Sequence, residues 1–346
     1  MERTPTSHLA LACVVAQPEG SRKARELGRA FLADPELPGR QADEIRAALE
    51  GRVRAVEDEI FRLGWRFVAS GEPGFPARLA AVVDPPLGLF VRGSLPEGHA
   101  VALVGARRAS AYGREVAEYL GRELARAGVT VISGMARGVD AAAHRGALAA
   151  GGPTAAVWGA GPDRVYPPEH EGLAEEIAAH GCLATEYPPG CAPLGHHFPE
   201  RNRIIAGLCE AVVVVEADER SGALITARLA LEEGREVMAV PGSVFSRLSA
   251  GPNGLLRAGA APVLTADDVL AALGLPPRPS GAGAEEEPPL LALIEPGESV
   301  TVDRLAAESR LPVAQVLEAL VALELGGRVV RQADGSYRRS HVNPDS

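Results

Sequence analysis

Between residues 100 and 275, unbroken apolar runs alternate with glycine-rich turns and helical segments, and this alternation limits the fold of the 346-residue chain more than any other feature. The run Val212–Val215 contains no polar residue, which is typical of a strand that is buried on both faces. Strands that alternate with helices predict a parallel, doubly wound sheet, so the expected fold class is α/β. The predicted strands are Ala100–Val104, Thr130–Ser133, Thr154–Trp158, Leu183–Glu186, Ala211–Glu216 and Glu236–Val240.

The segments before and after this region predict further parts of the chain. Residues 1–64 carry apolar residues at spacings of three and four among dense charges, which predicts a small helical domain. We prefer a packing or interaction role for this domain over a role as a nucleic-acid module. Residues 65–98 lead into the central domain, which therefore spans 65–275, and the Pro-, Gly- and Glu-rich residues 276–288 predict a linker.

Residues 289–340 have the order of a winged helix, which is three helices followed by a hairpin. The predicted helices are Leu290–Ile294, Asp303–Ser309 and Val313–Leu325, and the predicted strands are Val329–Arg331 and Ser336–Arg338 around an Asp-Gly turn. The segment 285–346 carries 11 acidic and 6 basic residues, and its third helix has no arginine. A helix that enters a DNA groove normally brings cations, so we expect this tail to contact protein rather than to anchor DNA.

The charge composition restricts the chemistry that the chain can perform. Lys and Arg number 35 against 45 Asp and Glu, a net charge of -10, so DNA binding would need a local basic patch. Lys23 is the only lysine, which excludes a phosphate-loop lysine or a Schiff-base lysine beyond that position. Four cysteines without a C-x-x-C pair, and the lack of a long apolar stretch, predict a cytoplasmic protein that does not contact a membrane.

Ligands bind open parallel sheets beyond the carboxyl ends of the strands, and the turn Gly105–Gly113 lies at such an end. Its small residues let backbone N–H groups approach an anion at the start of the next helix. Arg107 and Arg108 add guanidinium groups that can bind a phosphate with two hydrogen bonds. The turn is neither a dinucleotide fingerprint nor a Walker loop, so it predicts anion binding without naming a nucleotide.

A second turn of this kind is Ser133–Asp140. Arg137 lies in the loop and is a candidate for anion binding. Asp140 is expected to cap the following helix. His144 lies four residues later on the same helix face, and we expect the Asp140–His144 pair to be structural rather than catalytic.

The segment Phe198–Gly207 has the most specific pattern. An aromatic residue followed by Arg201 and Arg203 offers a stacking surface beside cations, which is the chemistry that single-stranded nucleic acid requires. The two arginines lie on different helix faces, so both are not expected to serve one surface. Core packing of Phe198 is the alternative to base stacking.

A further turn, Glu216–Ala227, places Ser221 and Gly222 where they can open a helix toward an anion. Glu216 ends a buried strand, and we expect it to orient an arginine rather than to act as a general acid or base. A metal site is not expected, because the spacing of the histidines and cysteines near residues 180–197 matches no zinc pattern. No G-x-S-x-G elbow is present either, which argues against a serine nucleophile.

These motifs, in this order, resemble the bacterial DNA-processing protein A family, also called DprA or Smf. The resemblance is strong over residues 65–275 and looser over both flanking domains, which in many members are a sterile-alpha-motif-like helical domain and a winged helix. The stretches that carry it are V-G-A-R-R-A-S-A-Y-G, S-G-M-A-R-G-V-D, F-P-E-R-N-R-I-I-A-G-L, S-G-A-L-I-T-A and G-R-E-V-M-A-V-P-G.

The resemblance implies an extended Rossmann-like domain that binds single-stranded DNA in a positively charged pocket, without catalysis and without a cofactor. Family members protect incoming DNA, load a RecA-type recombinase in natural transformation or repair, help to displace single-strand binding protein, and commonly act as homodimers. By motif position, Arg107 is the pocket arginine and Phe198 is the aromatic that meets a base. The candidate DNA-binding residues are Gly105, Arg107, Arg108, Ser110, Ser133, Arg137, Phe198, Arg201, Asn202, Arg203, Ser221 and Thr226.

The chain departs from the family at Gly195, where members often carry a lysine. His196, His197 and Arg137 are the candidates to replace that cation.

A nucleotide-processing enzyme of the phosphoribohydrolase type is the alternative function on a Rossmann-like fold. Such enzymes usually carry a P-G-G-x-G-T-x-x-E loop, whereas this chain has Pro241-Gly242-Ser243 with no such glutamate after it. The difference favours binding over hydrolysis, so we predict that the protein is not an enzyme.

Overall fold

The structure is a computed structural model that describes residues 6–16, 21–277, 288–295, 297–325, 328–332 and 334–339. The chain divides into two units, residues 1–276 and residues 277–346.

The described part of the first unit contains one nine-stranded sheet. The strands are β1 Arg66–Ala69, β2 Gly88–Gly93, β3 Ala100–Val104, β4 Thr130–Ser133, β5 Thr154–Val157, β6 Cys182–Thr185, β7 Ala211–Val214, β8 Glu236–Ala239 and β9 Ala261–Pro262. They lie in the order β1-β2-β6-β5-β4-β3-β7-β8-β9. The strands from β3 to β9 pair in parallel, which confirms the predicted α/β fold class, and all six predicted strands are present with ends within two residues.

The predicted lead-in, residues 65–98, adds two strands to this sheet. Strand β1 pairs antiparallel with β2, and β2 pairs antiparallel with β6, so the sheet is mixed at this edge. Between the two strands the chain turns through Gly71, Pro73, Gly74 and Pro76.

Helices cover both faces of the sheet. They are α1 Thr6–Ala16, α2 Arg22–Ala33, α3 Arg40–Gly51, α4 Val53–Arg62, α5 Ala77–Ala80, α6 Ala111–Arg126, α7 Val139–Ala149, α8 Glu171–His180, α9 His197–Leu208, α10 Gly222–Glu232, α11 Ala250–Arg257 and α12 Ala266–Ala272. Alternate side chains of β3 enter different cores: Ala102 packs in the core that includes α9 and α10, and Leu103 packs in the core that includes α6 and α7. Every residue of β3 is buried, which is why the strands read as unbroken apolar runs.

The N-terminal helices share a hydrophobic core with the sheet. Phe31 of α2 and Ile45 of α3 belong to the same cluster as Trp65 and Trp158, whose ring centroids lie 5.3 Å apart. The helical content predicted for residues 1–64 is therefore confirmed over the described residues. The boundary at residue 64 and the likeness to a sterile alpha motif stay predictions.

The second unit has the predicted winged-helix order. Its elements are β10 Ser299–Val300, α13 Val302–Ser309, α14 Val313–Leu325, β11 Val329–Arg331 and β12 Tyr337–Arg339, with the strands in the antiparallel order β10-β12-β11. The prediction of a helix over Leu290–Ile294 is wrong, because only a 3-10 turn, Leu291–Leu293, forms there. Prolines at 288, 289 and 296 leave too few residues for an α-helix. Most of the predicted linker, residues 278–287, lies outside the described residues.

Candidate functional site

A cavity of about 520 Å³ opens at the carboxyl ends of β3, β4 and β7. Strand β3 is the point where the order of the parallel strands reverses, because β4 lies on one side of it and β7 on the other. The loops after such strands diverge, and this switch point is the usual ligand site of open α/β sheets. Seven of the predicted site residues line the cavity, namely Gly105, Arg107, Phe198, Arg201, Asn202, Ser221 and Thr226.

Glu216, at the end of β7, shapes the first turn of the site. Its carboxylate accepts hydrogen bonds from the N–H (2.9 Å) and the Oγ–H (2.6 Å) of Ser110, and Ser110 Oγ caps α6 by accepting from Gly113 N–H at 3.0 Å. The Glu216 side chain lies so close to Gly113 that a Cβ would not fit there. The prediction that Glu216 orients an arginine is therefore wrong. Ser110 does not line the cavity, and its hydroxyl is committed to holding the turn.

Asp140 organises the second turn. Its carboxylate accepts from the backbone N–H groups of Gly134 (3.2 Å) and Ala136 (3.3 Å), while Gly138 is the N-cap residue of α7. The prediction that Asp140 caps the helix is wrong, because the side chain reaches back to the loop instead. Burial raises the pKa of this carboxyl group above its ordinary value.

Two other predicted residues of this region lie in the core. Ser133 is buried, does not line the cavity, and donates its Oγ proton to the carbonyl oxygen of Leu103 at 2.6 Å, so its role as a DNA-binding residue stays a prediction. His144 Nδ1 lies 2.7 Å from Thr154 Oγ1, and burial lowers the pKa of His144 to about 3. His144 therefore stays neutral at physiological pH, in line with the structural role predicted for it.

Arg201 of α9 lies at the floor of the cavity. Its guanidinium donates to the carbonyl oxygens of Gly134 (3.1 Å) and Val157, which follow β4 and end β5. The residue is 4% exposed, and burial lowers the pKa of the guanidinium to about 10 although Asp140 opposes the shift. Arg201 therefore keeps its charge at neutral pH, and its buried Nε has no hydrogen-bond partner within the described residues.

Two aromatic rings, Phe198 and Tyr166, line the cavity near Arg201 and are called the aromatic wall below. The rings of Phe198 and Tyr166 are tilted by 40° with centroids 5.3 Å apart, and the guanidinium carbon of Arg107 lies 5.0 Å from the centroid of the Phe198 ring. Phe198 is half-buried and belongs to none of the hydrophobic core clusters found among the described residues. This placement favours a ligand contact over core packing for Phe198.

The third side of the cavity is the beginning of α10. Ser221 caps this helix by accepting from Ala223 N–H at 3.3 Å, and Gly222 and Ala223 line the cavity. Asn202 Nδ2 donates to the carbonyl oxygen of Gly222 at 3.3 Å and so ties α9 to α10. Thr226 lines the cavity one turn later. The N-terminus of a helix carries partial positive charge, which suits an anion.

Arg203 does not line the cavity, and its role as a DNA-binding residue stays a prediction. Its guanidinium pairs with Glu186 and donates to the carbonyl oxygen of Asp84 at 2.9 Å. Arg25 of α2 binds the Asp84 carboxylate and lies 3.8 Å from Glu186. Burial opposes ionisation of Asp84, but hydrogen bonds and charge from these arginines hold the pKa of its carboxyl group below the ordinary value.

Two further predicted arginines, Arg137 and Arg108, do not line the cavity. Arg137 forms an ion pair with exposed Glu169 and lines a small recess beside the cavity, together with Arg107, Tyr166 and Phe198. Arg108 is exposed on the first turn and does not line the cavity.

The histidines next to Gly195 differ in their surroundings. Gly195 lines the cavity, and His196 is exposed. His197 is buried and stacks on Tyr187 with ring centroids 4.1 Å apart, and burial lowers the pKa of its imidazole. His197 is therefore not the cation that replaces the lysine which the resemblance implies at position 195.

Sequence reasoning missed Tyr166 as a site residue. It lies after a turn that contains Gly159 and Gly161, and the prolines that follow Tyr166 do not predict a helix opening at this turn. Aromatic residues make up only 4% of the chain, so an aromatic just after a glycine-rich turn at a strand end was the available signal.

Within the described ranges, no group of three or more His, Cys, Asp or Glu residues is placed to hold a metal ion. The part of the chain that the structure describes also contains no helix that is long and apolar enough to cross a membrane.

Fold and site together define a Rossmann-like protein with a winged-helix unit and a cavity of arginines and aromatic rings at the switch point of its sheet. The family model described as DNA recombination-mediator protein A matches residues 66–274, and that of the DprA winged helix domain matches residues 275–335. The chain belongs to the DNA recombination-mediator protein A family, which confirms the resemblance.

Relatives agree with this assignment. The DNA processing protein DprA of Bacillus subtilis is 38% identical over 249 residues, which are 69% of this chain and 84% of that protein. Protein Smf of Escherichia coli is 40% identical over 281 residues, or 76% of this chain and 75% of that protein. The X-ray structure of DNA processing protein A from Streptococcus pneumoniae has a TM-score of 0.62 and 34% identity, covering 78% of this chain and 98% of that one.

The structure of DNA processing protein A from Helicobacter pylori, which was described for its single-stranded DNA binding mode, has a TM-score of 0.55 and 29% identity. It covers 60% of this chain and 95% of that one.

Arg203 is buried and pairs with two carboxylates, whereas Arg108 is exposed. Replacing them should therefore change the free energy of unfolding by different amounts. Arg203→Met should lower the free energy of unfolding by about 3 kcal/mol, because Glu186 and Asp84 then lose a buried partner. Arg108→Met, at an exposed position, should change it by less than about 0.5 kcal/mol. Urea unfolding of both variants measures the difference, and equal stabilities would contradict a structural role for Arg203.

Proposed function

We propose that the cavity binds single-stranded DNA, with a phosphate near Arg107 and Arg201 and a base against the aromatic wall. One observation carries the proposal: a cavity at the sheet's switch point brings together a buried arginine, an exposed arginine and two aromatic rings. Arginine neutralises phosphates and aromatic rings stack on bases of any sequence, and together these are the two requirements for binding a single strand.

The backbone adds to this chemistry. Two helices, α7 and α10, begin beside the cavity, after turns that Asp140 and Ser221 hold in place. Helix N-termini present unpaired N–H groups and partial positive charge to anions. Gly105 permits the close approach of the first turn, because a Cβ there would lie 2.5 Å from Val139 Cγ2. Ser110 acts here through the shape of the turn.

The binding serves recombination. The chain protects single-stranded DNA, helps to displace single-strand binding protein and loads a RecA-type recombinase, in natural transformation or in repair. It acts in the cytoplasm, as a homodimer and without catalysis of its own. Membership of the recombination-mediator family and the single-stranded DNA binding described for the Helicobacter pylori relative support this role. Its buried Glu216, whose two oxygens are occupied by Ser110, gives no support to the alternative of a hydrolase.

The winged-helix unit contacts protein in this scheme. Val313, Leu317 and Val321 lie one turn apart on α14 and are 42–50% exposed. The same helix carries Glu318 and Glu324 and no arginine. An apolar face with acidic neighbours suits a protein surface and repels the DNA backbone.

Arg107→Ala should weaken binding to all sequences alike. Each neutralised phosphate contributes about -0.7 to the slope of log affinity against log salt, so losing one contact should flatten the slope by about that amount. Fluorescence anisotropy with a labelled oligothymidylate at several salt concentrations measures this slope. Arg228→Ala, at an exposed arginine that does not line the cavity, serves as control. An unchanged slope for Arg107→Ala would remove this residue from the phosphate contacts.

Phe198→Ala should leave the melting temperature nearly unchanged and reduce the binding free energy by about 1–3 kcal/mol, with little change in salt slope. Stacking releases no counterions, so its loss should lower the affinity without changing the dependence of affinity on salt. Phe31→Ala is the matched core variant, because Phe31 is 1% exposed, and it should lose about 3–5 kcal/mol of stability. If Phe198→Ala instead behaved like Phe31→Ala and bound DNA normally in its folded fraction, Phe198 would be a core residue.

Deletion of residues 276–346 should leave the affinity for single-stranded oligonucleotides within about threefold, because the acidic tail offers few cations to phosphates. The comparison uses the same anisotropy titration on full-length and shortened chains. Loss of binding on deletion would make the tail the DNA anchor and refute the assignment.

A further inference from the structure

The loop that follows β8 exposes an aromatic ring, Phe245, that does not line the cavity proposed to bind DNA. Phe245 is 96% exposed and its neighbour Val244 is 84% exposed, and Phe245 is the most exposed large hydrophobic side chain of the described residues. Only 4% of the chain is aromatic. A ring in open solvent gains no burial energy, so a partner that covers it would supply the missing contact.

The loop is a fixed structure with many hydrogen bonds. Asn253 exchanges two hydrogen bonds with the backbone of Gly242, at 3.2 and 3.0 Å. Tyr112 donates its hydroxyl proton to the carbonyl oxygen of Pro241 at 3.2 Å. Phe245 N–H donates to Ser243 Oγ at 3.3 Å. These bonds fix the backbone of the loop, so less backbone ordering is needed when a partner binds.

The loop lies on the edge of the sheet where the cavity opens. Strand β8 is the second strand from β3, and neighbouring strands are about 4.8 Å apart, so the loop begins about 10 Å from the first turn of the site. Tyr112 belongs to the first turn of α6, which follows the cavity-lining residues Gly105 and Arg107 along the chain. Ala217, which follows β7 directly after Glu216, donates its N–H to Leu248 O at 2.7 Å and so joins the loop to the chain that leads to Ser221.

The loop that carries Phe245 has few charged residues. Residues 237–266 contain Arg247 and Arg257 and no acidic residue, although the whole chain has a net charge of -10. The neighbouring turn carries Asp218 and Glu219, so the local charge is mixed. The aromatic ring is therefore the feature of the loop that suits a nucleic-acid base.

We propose that this loop is a second contact for the same single strand, with a base stacked on Phe245 after the strand leaves the cavity. The inference rests on the proposed function, because the strand must occupy the cavity first. An exposed aromatic ring two residues before Arg247, on the edge of the sheet where the cavity opens, matches the way single strands are bound along stacking surfaces.

The test is the length of DNA at which Phe245 begins to matter. Full-length variants are titrated with oligothymidylates of about four to about sixteen nucleotides, the range of site sizes known for single-strand-binding folds. Phe245→Ala should bind the shortest oligonucleotides that the wild-type chain binds with unchanged affinity and the longest about fivefold or more weakly, at an unchanged salt slope. Phe245→Trp, which keeps an aromatic ring at this position, should bind the longest oligonucleotides with the affinity of the wild-type chain.

The controls separate this inference from the proposed function. Phe61→Ala removes another exposed ring, 83% exposed on α4, and should change nothing at any length. Arg107→Ala should weaken binding at every length, because it acts in the cavity. Equal affinities of Phe245→Ala and wild type at all lengths would overturn the second contact and leave the cavity intact. An equal loss at all lengths would also overturn it, and a wild-type chain that binds no oligonucleotide would overturn both proposals.

Discussion

The buried guanidinium of Arg201 holds the site together. It binds the backbone carbonyls that follow β4 and end β5, and its charge favours the ionised form of Asp140, whose carboxylate fixes the second turn of the site. Arg201 belongs to α9, so the same side chain places Phe198 and Asn202 beside the cavity. A buried charge is costly unless it is paired and hydrogen-bonded, and here those bonds are made to the elements that form the cavity.

A second set of buried charges fixes the other face of α9. Arg203 pairs with Glu186 at the end of β6 and with Asp84, and Arg25 of α2 reaches the same two carboxylates. The N-terminal helices therefore support the helix that carries the site, and they do so through ion pairs as well as through their shared core with the sheet. Breaking such a pair is costly, because the remaining charge stays buried.

The use of arginine instead of lysine fits this architecture. Beyond Lys23 every basic side chain that can hold a permanent charge is an arginine. Burial lowers the pKa of Arg201 only to about 10, whereas a lysine begins from a lower pKa and is more strongly hydrated. A planar guanidinium can also lie on the ring of Phe198, as Arg107 does, and can bind a phosphate with two hydrogen bonds.

The sequence by itself determined the parallel strands, the winged-helix order and seven residues of the cavity, because apolar runs and strand-end turns depend on local chemistry and on the common edge where parallel strands end. Only the tertiary structure decided which arginine lines the cavity. Arg201 lies at the cavity floor, whereas Arg203, two residues later, pairs with the carboxylates of Glu186 and Asp84. The tertiary structure also placed Glu216 on Ser110, Ser133 in the core and Tyr166 beside Phe198. These partners are distant in sequence, and no local pattern states which side chains the packing of strands and helices brings together.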